Sequence, residues 1–343
     1  MTGRILGSTD IRAYAATSTP RTLWQAASTW LPYLGLWALM IRSLDGPYWV
    51  TLALSLPAGI LMGRMISMTH DCGHGSMLRS RLANDILGSI NSFLIFTPYR
   101  HFTAEHSHHH ASNANLDRRG TGDIWTLTVN EYFACSPVRR FLYRLYRNPI
   151  VLFSLAGSFL LLVKYRFPRK GASRRELVSV IRMNLALAIY IWLMCATIGF
   201  KAWALIQIPT LMVGASFIMW MFYLNHNYEG VNWDRSHEWG FEKAAMEGSS
   251  CLVVSPVLRW LSGNSGYHHI HHLFPEIPNY NMERCLRGVP EFQTVDTIGL
   301  RDAWRALFLR LWDEDQRQLI RFDQLPSRPS DAEDVRVTPD HAL

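Results

Sequence analysis

Charge is what this sequence has least of. Asp, Glu, Lys and Arg make up 18% of its 343 residues, against roughly 25% in soluble globular domains. The deficit is local. No charged side chain occurs in residues 22–41, 46–63, 183–200 or 202–225. Runs of about 18 or more such residues can cross a bilayer core of about 30 Å, and four of them exclude an ordinary soluble domain. Cysteine is sparse as well. Cys72, Cys135, Cys195, Cys251 and Cys285 are scattered, odd in number and form no CxxC pair. That excludes a disulfide framework and suits a reducing compartment. There is no haem-binding segment, no Cys-ligated Fe–S motif and no dinucleotide fingerprint, so any electrons must come from a separate carrier. No signal peptide is expected, since residues 1–21 are polar and end in Thr19-Pro20-Arg21.

The formal net charge of +7 comes with no recognised nucleic-acid module, so no nucleic acid is expected as a partner. Basic loops against anionic lipid headgroups explain it. Lys164, Arg166, Arg169, Lys170, Arg174 and Arg175 mark one such loop as cytoplasmic. If 148–163 crossed the membrane, that loop would lie outside. Its sixteen charge-free residues make about 24 Å of helix, marginal for a span. Segments 86–97 and 148–163 are therefore read as interfacial or re-entrant. Four spans remain, near 22–41, 47–66, 180–200 and 203–224. The expected fold is all-α: an integral membrane protein with about four transmembrane helices and a cytoplasmic helical cap. Its expected parts are a polar N-terminal segment (1–21), one membrane domain (22–325) and a disordered tail (326–343), which has little to bury. The tryptophans and tyrosine near span ends, Trp24, Trp30, Trp220 and Tyr223, are expected to anchor at the interface.

What the sequence does have is histidine in clusters. Ten of its fourteen histidines fall in three groups: His70 and His74; His106, His108, His109 and His110; and His268, His269, His271 and His272. The spacings are HxxxH, HxxHH and HxxHH. Residues three and four apart share a helix face, so each group can aim its imidazoles at one point. His70, His74, His106, His109, His110, His268, His271 and His272 are the expected metal ligands. Eight neutral imidazoles are too many for one tetrahedral ion and enough for two metals with open positions. His108 and His269 are offset from these faces and read as outer-layer or surface residues; His101 fits neither period and reads as a plain polar contact. Metal-bound histidines commonly donate their second N–H to a carboxylate. Asp71, Glu105, Asp117 and Glu229 are the candidates for that role. With four spans, all three groups meet on the cytoplasmic face. A histidine-rich metal transporter is the reading from another class, but it would place ionisable groups inside the spans.

Three histidine boxes at the cytoplasmic ends of four spans resemble the membrane fatty acid desaturases. His70-Asp71-Cys72-Gly73-His74-Gly75-Ser76 looks like the family's first box. The stretch from His109 through Asn115-Leu116-Asp117-Arg118-Arg119-Gly120-Thr121-Gly122-Asp123-Ile124-Trp125 resembles the bacterial acyl-lipid branch, of Δ5/Δ12 type. So do Gly248-Ser249-Ser250 and Gly266-Tyr267-His268 through Asn279-Tyr280. The resemblance covers roughly 25–290. The branch usually has Gln-His where this chain has Asn225-His226. The resemblance implies that His226 completes the metal environment, and that two iron ions and O2 remove two hydrogens from a lipid-linked acyl chain, leaving a cis double bond. It also implies a ferredoxin-like or other external electron donor, for which Arg139, Arg140, Arg144, Arg147 and the 164–175 loop are candidate docking charges. The location implied is the bacterial inner membrane, with the site and both termini cytoplasmic. A fatty acid hydroxylase or a carotenoid ketolase or hydroxylase shares the ligand set and stays open. A ferritin-like di-iron site is excluded, because only one Glu-x-x-His, Glu105 to His108, is present. The chemistry agrees: an unactivated C–H bond needs a redox metal, and zinc has no redox chemistry.

Overall fold

The computed structural model describes residues 11–326. The expected disordered tail, apart from Pro326, and the first ten residues lie outside the described residues. Of the expected polar N-terminal segment, Ile11 is buried and packs with Tyr267, Ile270 and Met282.

The chain is mostly helical. α1 (Thr19–Ser43) turns over residues 44–47 into α2 (Tyr48–His74). α3 (Arg81–Leu94) and α4 (Tyr99–Ser112) follow. The short α5 (Val129–Ala134) and α6 (Pro137–Tyr146) lead to a helix over Val151–Arg166, bent by 80° from α6; its regular part is α7 (Gly157–Leu162). α8 (Arg174–Ile198) and α9 (Phe200–His226) form the second long hairpin. Then come α10 (Phe241–Glu247), α11 (Pro256–Ser262), α12 (His268–Leu273), α13 (Asn279–Gly288) and α14 (Leu300–Ala306). Two small ribbons complete the cap. β1 (Cys251–Leu252) pairs in parallel with β2 (Thr297–Ile298), and β3 (Leu311–Asp313) pairs antiparallel with β4 (Gln318–Ile320).

Local chemistry sets the helix ends. Ser173 caps α8, and Glu176 reaches back to the Ser173 N–H at 2.9 Å, a reciprocal capping box. α2 stops where Gly75 takes φ +78°, and the α8–α9 hairpin turns at Gly199 with φ +83°; both are left-handed positions that cost glycine little.

Among the described residues, three helices are long and apolar enough to cross a membrane: α2, α8 and α9. The bent pair α6 with Val151–Arg166 would be a fourth if it were one span. α1, expected as the first span, has the length. It does not reach the same apolarity, because Thr22, Gln25, Ser28 and Thr29 occupy its first turns. Three of these are buried against the rest of the chain. The segment expected as re-entrant has both ends at the histidine end of the bundle. Arg147, just before it, bonds the Tyr223 hydroxyl at 3.3 Å. Arg169, just after it, lies 3.2 Å from His108.

α2 and α9 make the central contact. A Cβ on Gly59 would come within 2.6 Å of Val213 and 2.8 Å of the Gly214 backbone. One on Gly214 would lie 2.7 Å from the Met62 sulfur. Missing side chains let the two backbones approach, as small residues do between membrane helices. The helix ends carrying His70, His74 and His226 are thereby held side by side.

The cap is locked onto α9 by Arg147, which is fully buried. Its guanidinium donates to the carbonyls of Trp125 and Leu309 and to Thr126 Oγ1, at 3.2, 3.0 and 2.8 Å. Tyr223, expected as an interfacial anchor, is instead fully buried, its hydroxyl 2.9 Å from the carbonyls of both Ala306 and Leu309. Trp30 is tied inward too, donating to Asn91 at 2.9 Å. Trp24 is exposed.

Candidate metal centre

The histidines gather into two adjacent sets. His70, His74, His106, His110 and His271 form one; His109, His226, His268 and His272 form the other. Within each set the nearest ring nitrogens all lie within 4.8 Å of one another. The rings of His110 and His272 stack at 4.2 Å and join the two sets. α2, α4 and α12 supply the first set, and α4, α9 and α12 the second.

The boxes do not each aim at one point, as their spacing suggested. Each HxxHH box is split. His106 and His110 serve one set and His109 the other; His268 and His272 serve one set and His271 the other. The reason is the helical repeat. At 3.6 residues per turn, i+4 is displaced about 40° one way and i+3 about 60° the other. The i, i+4 pair shares one centre and the i+3 residue faces the next.

The ring nitrogens are arranged for a cation. His109 Nδ1 faces Asp123 Oδ1 at 2.7 Å, and His226 Nδ1 faces the Gly248 carbonyl at 3.1 Å. Both partners are acceptors, so in the neutral ring the proton sits on Nδ1 and the Nε2 lone pair is free. Yet the Nε2 atoms of His109 and His226 lie 3.0 Å apart, and those of His226 and His268 likewise. In the other set, His110 Nε2 is 2.9 Å from that of His106 and from that of His271. The facing lone pairs of His109 and His226 repel unless a positive ion lies between them. Neighbouring donors about 2.1 Å from a shared ion come to about 3 Å of each other. His74 Nε2 is buried with no partner among the described residues, as a ligand atom awaiting its ion would be. Burial first, then the neighbouring imidazoles, push His106, His110, His268, His271 and His272 well below the usual histidine range. These rings are therefore neutral, the form that ligates. The donor set fits two metal ions.

The surrounding carboxylates depart from expectation. Asp71 faces a clustered ring, its Oδ1 2.9 Å from His70 Nδ1. Glu105 does not; it lies 3.7 Å from His101. Asp117 is turned to Arg235 at 2.6 Å and to the Ser236 N–H at 2.8 Å. Glu229 is exposed, with Arg305 at 3.9 Å. Sequence proximity placed these three on the wrong side of a helix or loop. The carboxylate that reaches His109 is Asp123, which sequence reasoning missed although it lies in the segment carrying the family likeness. Gly122 makes that approach possible. Its φ is +74°, and a Cβ there would press on the Glu105 carbonyl at 3.1 Å and His109 Cβ at 3.2 Å. Asn279 was missed as well. Its backbone N–H and side-chain amide both donate to Asp71 Oδ2, at 2.9 and 2.8 Å, and Gln25 donates to Asn279 Oδ1 at 3.1 Å. His101 is buried between Glu105 and Glu176, the latter at 3.4 Å. His108 is exposed on the outer face of α4. His269 is fully buried beside the Ser250 carbonyl, at 3.4 Å, and belongs to neither set.

The family model described as fatty acid desaturase matches residues 47–298, most of the chain and all three boxes. The chain belongs to the fatty acid desaturase family. A fatty acid desaturase of Bacillus subtilis is 40% identical over 320 residues, covering 93% of this chain and 91% of the relative. An sn-1 acyl-lipid omega-3 desaturase (ferredoxin) of Synechocystis is 25% identical over 272 residues, 74% of this chain and 71% of its own length. An sn-1 oleoyl-lipid 12-desaturase of the same organism is 25% identical, over 68% of this chain and 65% of its own. This desaturase is thus an oxidoreductase of fatty acids and a membrane protein, with histidine clusters able to hold metal.

Proposed function

We propose that the enzyme inserts a cis double bond into an acyl chain carried on a membrane lipid, using O2, two iron ions and an external electron donor. The convergence of nine imidazoles into two adjacent sets, with the Nε2 lone pairs of His109 and His226 facing one another, carries the reading. His70, His74, His106, His110 and His271 would hold one iron, and His109, His226, His268 and His272 the other. When bound, iron supplies the oxidising power that an unactivated C–H bond demands. The balance is simple: the acyl chain gives two hydrogens, the donor gives two electrons with two protons, and O2 leaves as two waters. The protein's part is to hold neutral rings in place. Asp71 and Asp123 fix two of them through Nδ1, and the buried cap keeps water away from the oxidising site.

The names of the relatives support the finer points. One of those from Synechocystis is described as using ferredoxin, and an Arabidopsis relative as using cytochrome b5. With no carrier motif in its own sequence, this chain takes its electrons from a ferredoxin-like or other external donor. A multi-pass location in a bacterial inner membrane, with site and termini cytoplasmic, fits the basic 164–175 loop beside His108. Gas chromatography with mass spectrometry of fatty acids from a host expressing the gene tests the reaction. A new acid two hydrogens lighter than its precursor is expected. A product heavier by one oxygen would make the enzyme a hydroxylase.

A further inference from the structure

α6 has two unlike faces. On the inner one, the Tyr143 hydroxyl accepts from the Leu127 N–H at 3.1 Å and donates to the Arg310 carbonyl. One turn on, Arg147 ties the same helix to Trp125, Thr126 and Leu309. On the outer face, Val138, Phe141, Leu142 and Leu145 are between 47% and 68% exposed. At about 100° per residue, these four fall within one arc of about 100°. An unbroken apolar stripe left open marks an interaction surface. It continues past the end of the helix. The chain bends by 80° into Val151–Arg166, and Ile150, Leu155 and Phe159 stay exposed beyond α6. If that segment dips into a bilayer, a helix bent by 80° from it lies nearly in the membrane plane.

The arginines decide what covers the stripe. Arg139 and Arg144 each stand about 60° beyond one of its edges, on opposite sides. Arg139 lies over the Trp125 ring at 5.9 Å. Arg144 donates to the Tyr132 hydroxyl at 2.6 Å and stacks on Phe322 at 4.5 Å. These partners are neutral, and α6 itself holds no acidic residue, so neither charge is balanced within the helix or by its ring contacts. A soluble acidic carrier docks by setting its carboxylates against cations. Here an apolar stripe lies between the two cations and would face those carboxylates. The layout suits the headgroup layer instead, with the apolar face on the acyl boundary and basic side chains reaching up to phosphates.

We infer that α6 is an in-plane helix that binds anionic phospholipid in the leaflet beside the metal sets. Arg139 and Arg144 meet the phosphates, and Val138, Phe141, Leu142 and Leu145 enter the acyl boundary. Tyr143 and Arg147 join this helix to residues 125–127, which follow Asp123 directly. Anionic lipid on one face of α6 therefore steadies the cap held by the other.

The test reads depth and lipid charge, neither of which needs turnover. A nitroxide is placed at Leu142→Cys in a Cys195→Ser background, because the other four cysteines are buried. A second is placed at Gln316→Cys, in the exposed β3–β4 turn. In nanodiscs of phosphatidylglycerol and phosphatidylcholine, oxygen should relax the label at 142 more than a water-soluble nickel chelate does. The order should reverse at 316. Equal nickel access at both positions overturns the in-plane helix. In the second arm, dioctanoyl phosphatidylglycerol added in neutral detergent should raise the thermal midpoint well above the value reached with dioctanoyl phosphatidylcholine. Arg139→Gln should raise the half-maximal phosphatidylglycerol concentration about fivefold, the share of one basic side chain beside an anionic surface. Adding Arg144→Gln should raise it about fivefold again. Equal responses to the two lipids in the wild-type protein, or an unchanged half-maximal concentration in Arg139→Gln, overturn the lipid site. Should the double variant fail to fold, Arg139→Gln decides. A higher KM for a reduced ferredoxin in Arg139→Gln, with the lipid response unchanged, would assign the surface to the carrier and overturn the inference.

Discussion

A histidine becomes a ligand through what its other nitrogen touches. In the second set the Asp123 carboxylate and the Gly248 carbonyl hold protons on Nδ1, so Nε2 of His109 and His226 can face a metal. Asp123→Ala should therefore weaken metal binding about 10–100-fold, the usual cost of losing such a partner. Iron per chain, measured by plasma emission on purified protein, checks it. Glu229→Ala should leave the metal content unchanged, since Glu229 faces Arg305 and not a ring. His226→Ala removes one of four donors from its set while the five-histidine set is untouched. Bound iron should fall towards half and desaturation should cease. Two irons per chain with near-normal turnover would exclude His226 as a ligand. Asn279 works one layer further out, with two donors on Asp71 Oδ2. It was not legible because its link to Asp71 spans 208 residues of sequence.

At the scale of elements, the helical repeat was readable and its consequence was not. The i, i+3, i+4 spacing shows that each HxxHH box lies on a helix. It does not show that the box will be divided between two centres; that needs a second helix on each side of α4 and α12. The α2–α9 contact is the element-level hinge of the site, since it sets His74 against His226. Gly59→Ala puts a methyl group against Val213 and the Gly214 backbone. Overpacking of this kind costs about 1–3 kcal/mol. A lower thermal midpoint and a lower yield of metal-loaded protein should follow. Gly35→Ala, in α1 with nothing within 4 Å of its added Cβ, should be neutral or slightly stabilising, because Ala favours helix by up to about 1 kcal/mol.

For the whole molecule, the question is which side of the membrane each segment faces. The basic loop 164–175 touches the outer face of α4 through Arg169 and His108, so it lies at the metal end of the bundle. A cysteine replacing Lys170, which is exposed and leaves the Ser173 cap intact, tests the orientation. It should resist impermeant thiol reagents in intact cells and react after lysis. Reaction in intact cells would reverse the proposed topology. The long charge-free runs made α2, α8 and α9 legible as membrane helices. α1 was harder, since inward-facing Thr22, Gln25 and Thr29 look like ordinary polar residues until their burial is known.

Spacing, composition and local motifs determined much of this protein on their own. They gave membrane helices where charge is absent, a metal site where histidines recur at helical spacing, and membership of a desaturase family through the phrases around the boxes. Each of these is a short-range property, carried by residues within a turn or a segment of one another. The tertiary structure decided which imidazole shares which centre, that Asp123 rather than Asp117 supports His109, and that Tyr223 is buried under the cap. Those outcomes depend on contacts between residues far apart in the chain. They are set by how closely α2 and α9 can pack and where the cap closes over them, and no local pattern encodes either.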